Sequence, residues 1–270
     1  MRKGGSVSLI IATYNWPEAL ALCLYSILRQ TILPAEVIVA DDGSDERTQK
    51  LIQEFARKTP FPVFHEWHED NGFRKTRILN KAIRRTASPY IIQIDGDVVA
   101  HPHFIEDHLY RREEGYFIRG TRANLNTKIT TDLLMNGNLS KRDKFWLIRK
   151  YPANSLRLSP VMAGWAVRKE SSGRKVKGCN MSFWKKDLVA VNGYDNSLQG
   201  WGHEDEELSW RLVNAGVKKK IVKFSAIVYH LHHRQLSRTE EPSHRELLQT
   251  IITQKTIRTR NGMVEIEKQP

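Results

Sequence analysis

Two aspartates, Asp95 and Asp97, stand two residues apart where the apolar run Tyr90–Ile94 ends. Carboxylates spaced in this way at a strand end can approach one divalent cation and a diphosphate together. Hard cations such as Mg2+ or Mn2+ take oxygen ligands and accept phosphate in the same shell. Asp-Gly is also ordinary turn chemistry, so this spacing alone leaves both readings open. A second cluster is Gly200-Trp201-Gly202-His203-Glu204-Asp205-Glu206-Glu207, with its acids crowded at a helix start. Acids there gain from the helix dipole. Gly-Trp-Gly, however, sets a large aromatic between two flexible residues, which suits a ligand-facing loop better than a cap. A carboxylate in such a loop is a candidate general base. The third cluster is Tyr229-His230-Leu231-His232-His233, leaving an apolar run. Imidazoles there can ligate a metal or contact phosphate.

Two weaker features accompany these. Asn71-Gly72-Phe73-Arg74 opens a helical pattern and suits an anion or a base ring, although a plain turn explains it equally well. Gly178-Cys179-Asn180-Met181 follows a basic stretch and is placed to line a site. There is no phosphate-loop lysine motif and no serine in a nucleophile elbow. The turn Thr13-Tyr14-Asn15-Trp16-Pro17 lacks the glycines of a dinucleotide fingerprint.

The elements that must position these residues alternate strand and helix over the first hundred positions. Val7–Ala12 is a short continuous apolar run, the pattern of a strand buried on both faces. Pro17 suits the first turn of a helix reaching Ile27, with Ala19, Leu20, Cys23, Leu24 and Ile27 on one face. Val37–Ala40 reads as a strand and Asp41-Asp42-Gly43-Ser44 as a turn. A helix to Lys58, a strand Val63–Glu66, a helix Phe73–Arg85 and the strand Tyr90–Ile94 follow. This order implies a mostly parallel sheet covered by helices on both faces, with ligands beyond the carboxyl ends of its strands. Residues 120–175 are basic and weakly periodic, with one helix near Asp143–Lys150. A helix His203–Ala215 and a strand Ile221–Val228 come next. From Glu241 a helical pattern runs to Thr256 and then frays.

The chain has 270 residues, with 43 Lys and Arg against 30 Asp and Glu, a net charge of +13. Such a field concentrates anionic partners: nucleic acid, a nucleotide-sugar or an anionic membrane. The runs at Lys141–Lys144, Arg168–Lys169, Arg174–Lys177 and Lys218–Lys220 each also read as a solvated face. A nucleic-acid-binding protein gives no reason for Asp95, Asp97, Glu204 and Asp205, which repel phosphate unless a metal intervenes. The two cysteines are far apart and form no disulfide framework or zinc pattern. No run approaches the roughly 18 apolar residues of a membrane span, so the expected location is cytoplasmic, with peripheral contact at the inner face of the membrane.

Taken together, these motifs resemble the family 2 glycosyltransferases, inverting enzymes of the GT-A fold. Val7-Ser8-Leu9-Ile10-Ile11-Ala12-Thr13-Tyr14-Asn15 is similar to that family's first strand and nucleotide-binding turn. Ser26–Thr31, Glu36–Ser44 and Asp95-Gly96-Asp97 follow in the family's order. The second half resembles the segment shared with β-1,4-galactosyltransferases and chondroitin-type polymerases, and the likeness spans roughly residues 6 to 235.

The resemblance implies a GT-A domain over 1–240, with 1–115 as the nucleotide-sugar-binding half and 116–240 as the acceptor half. Residues 241–270 form a helical tail. It implies that Tyr14, Asn15, Asp42 and Arg74 hold the nucleotide, Asp95 the ribose or sugar, and Asp97 and His230 a divalent metal, Mn2+ or Mg2+. Where the relatives carry a metal-binding methionine this chain has Ile227, so water or His232 is expected to complete the shell, with the choice between His232 and His233 left open. Asp205 is the implied base and Glu204 the acceptor ligand. The expected reaction moves a sugar from a nucleotide-diphosphate sugar of the UDP-hexose type to a hydroxyl of a glycan or lipid-linked acceptor in cell-surface polysaccharide or lipopolysaccharide synthesis. A nucleotidyltransferase, the alternative enzyme, would carry a Gly- and Arg-rich loop after the first strand.

Overall fold

The structure, a computed structural model, describes residues 7–233 and 241–268. The chain opens with β1 (Val7–Thr13), α1 (Pro17–Leu28), β2 (Glu36–Asp41), α2 (Glu46–Ala56), β3 (Val63–Trp67), α3 (Lys75–Arg85), β4 (Tyr90–Asp95), β5 (Val98–Ala100) and α4 (Phe104–Arg111). It continues through β6 (Tyr116–Arg119), β7 (Thr121–Asn124), α5 (Thr127–Asn136), α6 (Lys141–Lys150), α7 (Pro152–Ser155) and β8 (Arg168–Glu170). It closes with β9 (Asn180–Trp184), α8 (Lys185–Ala190), α9 (Glu204–Asn214), β10 (Lys218–Ile221), β11 (Ile227–His230) and α10 (Glu241–Gln254).

An eight-stranded sheet runs in the order β3-β2-β1-β4-β9-β6-β10-β8. Strands β3, β2, β1 and β4 are parallel. Strand β9 is antiparallel to both β4 and β6. A smaller sheet, β5-β11-β7, packs beside it. This is the α/β architecture expected from the strand-helix alternation, with a largely parallel sheet between helices.

Alternation along β1 explains why the sheet is covered on both faces. Leu9 and Ile11 pack with Leu20, Leu24, Ile92 and Phe104 on one side. Ile10 packs with Ile78, Leu79, Ile91, Phe117 and Leu208 on the other. Cys23 is fully buried, as its helical pattern predicts. Pro17 occupies the first turn of α1, where its missing N–H costs nothing. The turn after β2 is held by Asp41, whose Oδ1 accepts from the Ser44 amide at 2.9 Å. Asp45 then caps α2 by accepting from Arg47 and Thr48.

Several expectations are corrected. The apolar stretch Ile221–Val228 is not one strand: β10 ends at Ile221 and β11 begins at Ile227, in different sheets. Between them Phe224 and Ala226 take positive φ, 58° and 50°, so a sharp turn hides inside an apolar run without glycine or proline. Residues 120–175 hold more than one helix. In the Lys218–Lys220 run, Lys219 and Lys220 are buried. Their ammonium groups pair with Glu170 at 3.2 Å and with Glu113 at 2.6 Å. The stretch after Thr256 does not fray: Met263 and Ile266 are buried, Met263 in the core beside α3 and α9. The boundary expected at residue 240 lies outside the described residues. Among the described residues no helix is long and apolar enough to cross a membrane.

Candidate active site

The carboxyl ends of β1, β2 and β4 lie side by side, with Thr13 level with Asp41 and Ala12 level with Asp95. The chain turns after Asp95 into β5, which pairs with β11 so that Val98 faces His230. The Leu231 amide donates to the Asp97 carbonyl at 2.9 Å. This short pairing brings two distant sequence motifs together. His230 Nε2 lies 3.4 Å and His233 Nε2 3.2 Å from Asp97 Oδ2. Asp97, His230 and His233 each offer one ligand atom, all within 4.8 Å of one another. Asp97 Oδ1 is buried with no hydrogen-bond partner, a cost that a cation would remove. Burial raises the Asp97 carboxyl, but the His233 hydrogen bond and the His230 charge outweigh it and hold the group below its ordinary value. Burial lowers the His230 imidazole against the pull of Asp97, which favours the neutral, ligating form. Carboxylate and imidazole donors fit a divalent transition metal such as Mn2+.

Of His232 and His233, it is His233 that lies against Asp97. The His232 amide instead donates to Thr130 Oγ1 at 2.8 Å. Trp16, in the first turn, meets the His233 ring edge-on with centroids 6.2 Å apart.

Asp95 accepts from Lys75 Nζ at 2.7 Å. Lys75, at the start of α3, is a site residue that sequence reasoning missed. Burial alone would lower its ammonium pKa, but Asp95, Asp205 and Glu204 together hold it well above its ordinary value. The same ammonium also pulls down the Asp97 carboxyl. One cation thus sits within electrostatic reach of all four acids.

Asp205 and Glu204 occupy the first turn of α9. His203 precedes them with φ 66°, a strained backbone for a residue with a Cβ. The Gly202 amide donates to Glu204 Oε2 at 3.1 Å, and the Gly178 amide donates to Asp205 Oδ2 at 2.6 Å. Asp205 Oδ1 is buried without a partner. Burial, then the charge of Glu204, pushes the Asp205 carboxyl up to about 7, with Lys75 opposing and Asp95 adding. A carboxylate tuned in this way accepts a proton readily near neutral pH. A methyl group at Gly178 would collide with it, which gives the Gly178 turn a physical reason to carry no side chain.

The expected nucleotide residues gather at the β1 and β2 ends. Tyr14 is half-exposed, and its hydroxyl donates to Asp70 at 2.8 Å. Asn15 joins two turns: its amide donates to Ser44 Oγ and its Oδ1 accepts from the Asp45 amide, both at 2.9 Å. Asp42 is buried between His68 Nε2 at 2.7 Å and the Arg74 amide at 2.9 Å. The Arg74 guanidinium donates to the Glu69 carbonyl while its Nε is buried without a partner. His68 is a second residue that sequence reasoning missed, because nothing in its spacing ties it to Asp42.

Helix α10 braces the turn before α9. His244 Nδ1 lies 2.8 Å from the Gly202 carbonyl, and Glu241 lies 3.7 Å from His203 Nε2.

The model of glycosyl transferase family 2 matches residues 8–159. A model described as the N-terminal domain of galactosyltransferase matches residues 160–234. Among curated proteins, the chain is 25% identical over 239 residues to a chondroitin synthase of Escherichia coli, covering 83% of this chain and 34% of that protein. It is 26% identical over 228 residues to a hyaluronan synthase of Pasteurella multocida, covering 78% and 23%. It is 24% identical over 246 residues to a validoxylamine A glucosyltransferase of Streptomyces hygroscopicus subsp. limoneus, covering 84% and 52%. The chain thus spans about a quarter to a third of the synthases and about half of the glucosyltransferase. S. aureus TarS 1–349, solved in complex with UDP, shares the fold with a TM-score of 0.62 at 13% identity, over 97% of this chain and 69% of that one.

Proposed function

Because this chain belongs to glycosyl transferase family 2, we propose that it transfers one sugar from a nucleotide-diphosphate sugar to a hydroxyl group, inverting the anomeric centre. The observation that carries the reading is the meeting of two parts through Lys75: the Asp97–His230–His233 cluster and the buried, high-pKa Asp205. A cation site beside a general base is what displacement of a diphosphate by an alcohol requires.

In this reading Asp97, His230 and His233 would hold a divalent metal, Mn2+ or Mg2+. Such an ion, when bound, supplies positive charge to the departing diphosphate. Asp205 Oδ1, the oxygen left without a partner, takes the proton from the acceptor hydroxyl. Glu204 anchors the acceptor and keeps Asp205 basic. Lys75 holds Asp95 in place for the ribose or sugar. Tyr14, Asn15, Asp42 and Arg74 form the nucleotide-binding corner. Residues 1–115 serve as the nucleotide-sugar half, 116–240 as the acceptor half and 241–270 as a brace. The donor is of the UDP-hexose class, a choice supported by relatives that include a glucosyltransferase and by the UDP complex of TarS. The acceptor is a glycan or lipid-linked glycan of a surface polysaccharide, a class suggested by the names of the synthase relatives. Peripheral contact with an anionic membrane would suit such an acceptor.

The test is hydrolysis of a panel of UDP-, GDP- and dTDP-sugars with Mn2+, with Mg2+ and with chelator. Metal-dependent release of one nucleoside diphosphate, lost in Asp97→Ala, is the expected result. No turnover together with no metal-dependent nucleotide binding overturns the reading.

A further inference from the structure

Away from the cleft, the surface at the outer edge of the large sheet combines two features that soluble surfaces usually keep apart. A 3-10 turn, Met162–Ala166, precedes the edge strand β8. Ala163 is fully buried and anchors it, while Val161, Met162 and Trp165 are 76%, 62% and 75% exposed. The turn is formed and hydrogen-bonded: the Ala163 amide donates to the Ser159 carbonyl at 2.9 Å and the Val167 amide to Gly164 at 3.2 Å. Trp165 is braced by Phe224, with ring centroids 5.6 Å apart. The backbone thus holds three apolar side chains outward. Single exposed apolar residues are common, but neighbours presented together mark a docking surface.

The turn is collared by cations. Arg168 and Lys169 follow it directly and are exposed. Arg111 and Arg112 approach from the end of α4, beside a half-exposed Tyr110, and line with Lys169 and Lys220 a cleft of about 440 Å3 that reaches Gly164. Arg111 is tied to the turn through the Pro160 carbonyl. Glu113 neutralises Lys169 and Lys220. Among the described residues, Arg111, Arg112 and Arg168 have no carboxylate in salt-bridge range. Arg168 is level with Ile221 at the carboxyl end of β10, Ile221 with Arg119, Arg119 with Met181 and Met181 with Gln93. The turn therefore enters β8 at the end of the sheet that also carries Asp95.

We propose that the Val161–Trp165 turn and its collar of arginines and lysines dock this protein on an anionic lipid bilayer, with the catalytic end of the sheet close to that surface. Charge complementarity selects the occupant. Tryptophan prefers the boundary between hydrocarbon and water, and basic side chains beside it gain from acidic headgroups. A proteinaceous partner would need a complementary acidic and apolar surface, whereas a bilayer supplies both at once. The proposal gives the membrane contact of the proposed function a place on the surface, yet its test is independent of the transfer reading, since lipid binding is measured without donor or acceptor.

The experiment is co-sedimentation of the full chain with vesicles of phosphatidylcholine, alone or mixed with phosphatidylglycerol. Binding is expected to the mixed vesicles and not to phosphatidylcholine alone. Met162→Ser/Trp165→Ser and, separately, Arg168→Glu/Lys169→Glu are each expected to weaken it about tenfold or more, with nucleotide-sugar hydrolysis and thermal stability unchanged. Wild-type protein that ignores acidic vesicles overturns the proposal, as does binding that both variants retain. A wild-type dimer that the serine variant makes monomeric, measured by light scattering, would assign the surface to a second copy and overturn it too.

Discussion

At the scale of single residues, the proposed chemistry rests on Asp205. Its carboxyl is moved from 3.8 to about 7, by burial first and by Glu204 next. Only the ionised form accepts a proton, so kcat/KM should rise with pH through a limb near 7 and level off above it. Lys75→Met removes the opposing charge and should move that limb to higher pH, a shift that a loss of packing alone would not produce. The same displacement acts on stability. Between the two values the folded state keeps a proton that the unfolded chain has released, so this site's contribution falls as pH rises from about 4 to about 7 and stays unfavourable above. Asp205→Asn should therefore cut transfer by about 10²-fold or more while leaving the melting temperature at pH 8 equal or a few degrees higher. A lower melting temperature at pH 8 would count against the buried charge. Asp95, Asp97, Glu204 and Asp205 were legible in the sequence because acids collected where strands and helices end. Lys75 was not, since a lysine at a helix start looks like any solvated cation until the fold sets four acids around it. The choice between His232 and His233 stayed open in the sequence, because β11 ends at His230 and strand alternation, which would have separated the two, ends with it.

At the scale of elements, the site is assembled by contacts between short pieces that are far apart in the chain. The pairing of β5 with β11 closes the Asp97–His230–His233 cluster, and the turn before β9 holds Asp205 through the Gly178 amide. Gly178→Ala should push Asp205 out of position and lower kcat by about tenfold or more while donor KM changes little, because the nucleotide corner lies on β1 and β2. A proportionate loss of donor binding would show that the turn serves the nucleotide instead. Strands β1, β2 and β4 were readable since each is a largely apolar stretch buried on both faces. The break between β10 and β11 was not, because Phe224 and Ala226 adopt positive φ without the glycine that normally announces it. Helix α10 was visible as a pattern, but its grip on Gly202 through His244 depends on a long-range contact that local periodicity does not encode.

At the scale of the whole molecule, the last described segment is bound back into the core. The Met263 amide donates to the Asn192 carbonyl at 2.9 Å, and its side chain fills the core beside α3 and α9. Met263→Ala should lower unfolding stability by about 2–5 kcal/mol, read from the denaturant midpoint, and leave turnover at low temperature unchanged. An unshifted midpoint would mean that the last segment merely rests on the surface. The sheet order carries a consequence for the protein's birth. Strand β9 lies between β4 and β6, yet it is made after both. While the ribosome translates from Asp95 to Asn180, β4 presents an unsatisfied hydrogen-bonding edge, on the order of ten seconds at ordinary synthesis rates. An open strand edge is a template for pairing with other chains. The nascent protein is thus most in need of chaperone cover during that interval, and a pause placed between β6 and β9 would lengthen its exposure.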